Sequence, residues 1–298
     1  ELRTAAEAGA TVVLDAPDEA GRAAAAGVRR VLVRLTPGVE AVTHQSIQTA
    51  HDESKFGLGA SAALDAVRQA RDLRLDVVGV HFHLGSQLAR TEESVVAVDK
   101  LLAFCDRAWT ELEWAPRMLD VGGGLGIRYT RDEIVPTVAE FVSSLVTRLP
   151  NGVQVVLEPG RSLVGRAGVT LYRVGVVKES AGVTYVAIDG GMSDNPRPQL
   201  YGARYEALLA TRANAEPEGT FRIAGKHCES GDVLIDAVSL PRPRRGDLLA
   251  VPATGAYTLA MSSTYNGVPR PAAVLVGHGE TRLIRKRETV DDLLRFDR

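Results

Sequence analysis

The sequence predicts an α/β sheet or barrel followed by a second, β-rich domain. Three observations carry this expectation. Strand and helix patterns alternate five times in the first half, and the strands are near-continuous apolar runs, as buried parallel strands are. Clusters rich in glycine, proline and charge fall just after those strands, where parallel α/β folds bind ligands. Beyond about residue 163, helix signals fade and strands separated by Gly, Pro and Asn turns take over.

In chain order, residues 1–8 read as helix with Leu2, Ala5 and Ala6 on one face. Thr11 to Asp15 is a short buried strand, and Pro17 and Asp18 open a helix that Gly27 ends. Val31 to Leu35 is the next strand, and a polar loop follows from Thr36 to Lys55. Ala60 to Leu73 has helical periodicity. Then come a strand over 77–82, a helix over 92–109, a strand over 118–121, a helix over 132–149 and a strand over 153–157. The later strands are expected over 169–177, 183–188, 221–224, 248–251 and 273–276, with a last helix over 289–296.

The 298 residues suffice for one large α/β domain, or for one plus a smaller partner. A net charge of −2 gives no bulk attraction to nucleic acid or an anionic membrane, and no apolar stretch approaches a membrane span. Cys105 and Cys228 are too few for a disulfide framework, so a reducing cytoplasm is expected. Lysine is scarce: Lys55, Lys100, Lys178, Lys226 and Lys286 are the whole set.

The chemistry-bearing residues collect at the strand ends. The run Met118 to Val121 empties into Gly122, Gly123, Gly124 and Gly126. Glycine lets backbone N–H groups approach a ligand with no Cβ in the way, so this turn is either a phosphate cradle or a bare tight loop. His81 and His83 flank Phe82 near a strand end and point the same way. No further metal-ligating motif accompanies them, so no metal is expected. Glu158 and Arg161 could close a strand end as an ion pair. Alternatively, the carboxylate holds a proton on a ligand nitrogen while the guanidinium meets an anion. Lys226, His227, Cys228 and Glu229 form the densest polar stretch. It reads as an acid or nucleophile site around Cys228, or as an exposed loop with an incidental thiol. Arg197, Tyr201 and Tyr257 add groups suited to carboxylate or phosphate, although each alone would suit packing.

Six ordered motifs make the chain resemble the diaminopimelate decarboxylases, pyridoxal-phosphate enzymes of the alanine-racemase-like, fold-type-III superfamily. They are HFHLGSQ at 81–87, DVGGGLGI at 120–127, EPGRSLVG at 158–165, DGGMSDNPRPQLYGA at 189–203, KHCESGD at 226–232 and GAYTLAMSSTYNGVPRPA at 255–272. HDESKFGL at 51–58 also looks like the family's loop ahead of a barrel helix. The resemblance implies a partial (β/α)8 TIM-type barrel over 1–163, with about five of its eight strands. It also implies a C-terminal β-sandwich or barrel-like domain over 164–298 with a terminal helix.

The resemblance implies pyridoxal 5'-phosphate as cofactor. Gly123, Gly124 and Ser86 would cradle its phosphate, with Pro159, Gly160, Arg161 and Tyr257 also at the cofactor. His83 would stack on the pyridine face and Glu158 would pair with the ring nitrogen. Arg161, Arg197, Tyr201, Glu229 and Tyr257 would contact meso-diaminopimelate, and Cys228 would reprotonate Cα. The implied assembly is a homodimer that shares its active sites across the interface. The residue after the cysteine, Glu229, favours diaminopimelate over ornithine, arginine or lysine as substrate.

The family's Schiff-base lysine segment, Tyr/Phe-Ala-x-Lys-Ala, does not occur here. By family order the chain would begin just before the fourth barrel strand, an N-terminal truncation of roughly 90 residues plus the family's N-terminal extension. Alone, such a chain is expected to be inactive. A non-catalytic homologue, a racemase and a decarboxylase of another basic amino acid are the alternatives.

Overall fold

The computed structural model describes residues 1–39 and 55–297. Residues 40–54 of the loop expected over 36–55, including the first half of HDESKFGL, therefore lie outside the described residues. Two compact units emerge: Glu1–Ile127 with Ile134–Ser162, and Arg128–Glu133 with Leu163–Arg298.

The first unit opens with helix α1 (Leu2–Glu7), strand β1 (Val12–Leu14), helix α2 (Glu19–Ala25) and strand β2 (Arg30–Arg34). It continues through α3 (Ala60–Asp72), β3 (Asp76–His81), α4 (Glu92–Leu112), β4 (Met118–Asp120), α5 (Val138–Val146) and β5 (Gln154–Val156). The five strands form one parallel sheet in sequence order, β1-β2-β3-β4-β5. Their apolar runs explain the arrangement, because a parallel strand covered by crossover helices must be apolar on both faces. Val31, Val33, Val80 and Leu119 are buried with Ala63, Val67 and Ala70 of α3 and Ala97, Leu101 and Ala108 of α4. Alanine on those helix faces lets them lie close to the sheet. Register then aligns the strand ends: His81 sits opposite Arg34 on one side and Asp120 on the other, and Asp120 sits opposite Val156.

The helix expected over 132–149 is shorter, beginning only at Val138. Pro136 disfavours helical backbone at the residue before it, and Thr137 caps the start. The Thr137 hydroxyl accepts from the Glu140 N–H at 3.2 Å, and the Glu140 carboxylate accepts from the Thr137 N–H at 2.7 Å. This reciprocal capping box overrides the apolar periodicity upstream of it.

The short α6 (Arg161–Val164) leads to β6 (Val169–Ser180), β7 (Val183–Ile188), α7 (Arg197–Tyr201), β8 (Leu208–Leu209), β9 (Gly219–Ala224), β10 (Val233–Leu240) and β11 (Leu248–Pro252). β12 (Ala273–Gly277), β13 (Glu280–Arg285) and α8 (Val290–Leu294) follow. The second unit has a six-stranded sheet, ordered β10-β9-β7-β6-β11-β8, and a two-stranded β12-β13 hairpin. Only β7 and β9 run parallel within the larger sheet. β8, β10, β13 and α7 go beyond the elements expected from sequence. The β10–β9 register shifts between Val233 and Ile235 and again before Val238, which breaks the alternation that announces a strand. In α7, Pro198 sits in the first turn and Gly202 takes the left-handed position after the end. Among the described residues no helix is long and apolar enough to cross a membrane.

Leu119 lies in the middle of the parallel sheet at 1% exposure. Leu119→Ala should lower unfolding free energy by about 2–5 kcal/mol, and Thr137→Ala by about 1 kcal/mol, in chemical denaturation. Equal losses from the two would contradict this account of the core.

Candidate functional site

In the first unit, the ends of β3, β4 and β5 lie side by side. The Glu158 N–H donates to the Gly122 carbonyl at 2.8 Å, and the Phe82 N–H donates to the Asp120 carbonyl at 3.0 Å. A Cβ on Gly123 would lie 2.1 Å from the Glu158 carbonyl oxygen. One on Gly124, where φ is +103°, would lie 2.4 Å from the Gly85 carbonyl oxygen. The glycines are thus required by the approach of neighbouring strand ends, a reason additional to any ligand.

That approach sets the side chains. Glu158 Oε2 lies 3.4 Å from His81 Nε2 and 3.9 Å from His83 Nδ1, so both histidines point at one carboxylate. His83 Nδ1 also accepts from the Gly123 N–H at 3.3 Å. Burial pulls the His83 pKa below the ordinary 6.5; the Glu158 charge opposes this, and Arg34 and His81 reinforce it. The ring is therefore neutral near pH 7, and its Nδ1 acceptor role puts its hydrogen on Nε2. Asp120 moves the other way. Burial raises its pKa above 3.8 and the Glu158 charge adds to that, although the Gly122 N–H donates to Oδ1 at 3.0 Å and opposes both. His81, Asp120 and Glu158 bring one donor atom each within 4.8 Å of one another, a trio that the sequence reading did not assemble.

Arg161 is 6% exposed, and its Nη2 and Nε donate to Ser86 Oγ at 2.8 and 3.2 Å. Pro159 and Gly160 bridge it to Glu158. A hollow of about 450 Å³ opens over this cluster, lined by Asp15, Arg34, Phe56, His81, His83 and Glu158. An imidazole and a carboxylate lining this cavity, with the glycine turn bonded to that imidazole through the Gly123 N–H, fit a flat, phosphorylated pyridine.

In the second unit, a hollow of about 940 Å³ lies beside β10. It contains none of the five candidate residues of this unit, so volume alone does not locate the chemistry. Arg197 and Tyr201 lie one turn apart on α7. Arg197 is 4% exposed, and its guanidinium sits over the rings of Tyr129 at 4.4 Å and Tyr205 at 5.6 Å. Its Nη1 donates to the Tyr205 hydroxyl at 2.5 Å. Tyr129 and Tyr205 had no motif to announce them, since the contact joins segments distant in sequence. Tyr257 is 42% exposed with φ +57°, a backbone region a tyrosine rarely adopts.

The polar stretch at 226–232 divides. His227 is buried, and its Nδ1 lies 2.7 Å from Asp232 Oδ2. Asp232 also accepts from the N–H groups of His227 at 2.9 Å and Met192 at 2.7 Å. Cys228 and Glu229 are exposed on the turn that this carboxylate ties down.

Residues 1–165 match the family model "Pyridoxal-dependent decarboxylase, pyridoxal binding domain". A Mycobacterium tuberculosis diaminopimelate decarboxylase is 43% identical over 326 aligned positions, which cover 100% of this chain and 72% of that protein. The chain belongs to the pyridoxal-dependent decarboxylases, in the diaminopimelate decarboxylase family. A Bacillus subtilis member is 44% identical over 90% of this chain. The chain spans less than two thirds of its length, 64%. The Helicobacter pylori diaminopimelate decarboxylase, solved in complex with L-lysine, superposes with a TM-score of 0.92 at 30% identity, covering 100% of this chain and 75% of that one. A lysine/ornithine decarboxylase from Vibrio vulnificus, complexed with putrescine, gives 0.76 at 26% identity, covering 90% and 70%. These likenesses bear out the partial barrel followed by a β domain.

Two measurements check the geometry of this decarboxylase-family chain. The Cys105 thiol is pushed up to about 12 by burial, whereas Cys228 is exposed. A thiol reagent at neutral pH should therefore modify Cys228 and spare Cys105 until the chain unfolds. The His83 ring should titrate below 6.5 by NMR. A midpoint above that value would contradict its burial. A folded pKa below the unfolded one means that His83 takes stability away as pH falls through 6.5 towards its own midpoint, and leaves it intact above.

Proposed function

We propose that this chain serves the pyridoxal-phosphate-dependent decarboxylation of meso-2,6-diaminopimelate to L-lysine and CO2. The observation that carries the reading is the Glu158 carboxylate held 3.9 Å from the His83 imidazole at the mouth of the glycine turn. Bound there, the cofactor supplies an electron sink for the carbanion left when CO2 departs. Glu158 would hold a proton at its ring nitrogen, and His83 would lie flat on the ring. A neutral imidazole does not repel that protonated ring, so the lowered His83 pKa suits the stacking role. Gly123 and Gly124 present backbone at the phosphate, beside Ser86, Pro159 and Gly160. Arg161, anchored on Ser86, offers a guanidinium to an anionic group.

In the second unit, Arg197, Tyr201, Glu229 and Tyr257 would contact the substrate. Glu229 suits the distal ammonium and Arg197 the distal carboxylate. Cys228 would give a proton to Cα after CO2 leaves, so the C–C bond's electron pair becomes a C–H bond and one proton is consumed. The chain would act as a homodimer in the cytoplasm, with a cofactor domain over 1–163 and a second domain over 164–298. The higher TM-score against the lysine-bound relative than against the lysine/ornithine decarboxylase supports diaminopimelate over the polyamine precursors.

In the protein carrying this sequence, Cys228→Ala should slow CO2 release from meso-diaminopimelate by about 10²–10⁴-fold, with pyridoxal-phosphate affinity unchanged. Turnover near the parent's would remove Cys228 from the reaction. Release from ornithine but not from diaminopimelate would overturn the substrate.

A further inference from the structure

The motif at 255–272 contributes Tyr257 to the reading above and leaves Tyr265 and Asn266 without a task. Both sit in a single-turn segment, Tyr265–Gly267, and both reach the cysteine turn within the second unit. The Tyr265 hydroxyl donates to Glu229 Oε1. The Cys228 N–H donates to Asn266 Oδ1 at 3.2 Å. Two adjacent residues of one turn therefore hold two adjacent residues of another. One bond fixes a side chain and the other fixes backbone.

The clasp has a foundation. The Tyr265 ring lies nearly parallel to the His227 ring, with centroids 5.9 Å apart and 9° between the planes. His227 is locked by the Asp232 carboxylate at 2.7 Å. Asn266 takes the left-handed backbone (φ 55°) that turns its side chain towards Cys228, a conformation asparagine tolerates better than most residues. An exposed glutamate samples several rotamers, and one short charge-assisted bond to a ring-anchored hydroxyl selects among them. The same bond raises the Tyr265 pKa, which keeps the hydroxyl a donor across the neutral range.

We propose that Tyr265 is a positioning residue that sets substrate preference by fixing the Glu229 carboxylate, with Asn266 holding Cys228 in step. This rests on the reading of Glu229 as a contact for the distal end of the substrate. A tethered carboxylate sits at one distance from the reacting carbon, so it discriminates by substrate length and by the charge at the far end.

The test is steady-state kinetics of the cofactor-loaded protein carrying this sequence, comparing Tyr265→Phe, Glu229→Gln and the double variant. Tyr265→Phe removes one oxygen at a position 43% exposed and leaves the ring on His227, so the fold should stand, as circular dichroism would verify. KM for meso-diaminopimelate should rise about tenfold with kcat little changed. The double variant should be no worse than Glu229→Gln alone, because both changes act through one carboxylate. Additive effects, a lowered KM, or an unchanged KM in Tyr265→Phe alongside a raised KM in Glu229→Gln would overturn the proposal. If Glu229→Gln itself leaves KM unchanged, the substrate role of Glu229 fails, and the proposal falls with it while the decarboxylase reading remains.

Discussion

The first unit is organised around a steric constraint: three strand ends must come together closely enough to share one small space. Gly123 has no room for a side chain because the Glu158 carbonyl oxygen occupies it, and Gly124 meets the Gly85 carbonyl in the same way. Everything chemical in this unit follows from that contact. Glu158 is delivered beside two histidines from the end of β3, two strands away across β4, and the His83 ring is turned by a bond from the Gly123 N–H. One bulky residue in the turn would separate the strand ends and disperse the cluster.

Electrostatics then differentiates chemically similar groups. Asp120 and Glu158 are both carboxylic acids at the ends of adjacent strands. Asp120 is 5% exposed and its pKa is raised, chiefly by burial, whereas Glu158 faces the hollow. Burial therefore shifts the first acid towards its neutral form, while the second faces the ligand space. Burial acts on His83 in the opposite chemical sense, removing a proton rather than retaining one, because the neutral form is favoured in each case.

Much of this was legible in the sequence, and the reasons are specific. The parallel sheet was readable because β2 and β3 are continuous apolar runs, and the strand-end residues were readable because glycine, histidine and Glu-Pro-Gly-Arg are conspicuous after such runs. The first-unit contacts join short motifs whose side chains converge through strand register, so the motif residues themselves carried the reading. The second unit was harder. β10 hid behind two register shifts, and α7 was masked by prolines whose placement is in fact a helix start. Tyr129 and Tyr265 escaped notice because each matters through a partner distant in the chain, and Tyr205 because its contact with Arg197, eight positions away, follows no motif spacing. His227 looked like one of four equivalent ionisable residues, yet the fold buries it and leaves Cys228 and Glu229 outside.

The Asp232 carboxylate has a consequence for how this sequence can vary. Its two oxygens collect the Met192 N–H, the His227 N–H and the His227 ring, so the segments at 190–194 and 225–232 meet at a single side chain. A Cβ on Gly191 or Gly225 would fall 2.4 or 2.0 Å from that same carboxylate. These positions cannot drift one at a time. Among natural relatives, a side chain at 225 should appear only together with a smaller residue at 232, as a joint change, whereas 191, with φ +155°, should stay glycine.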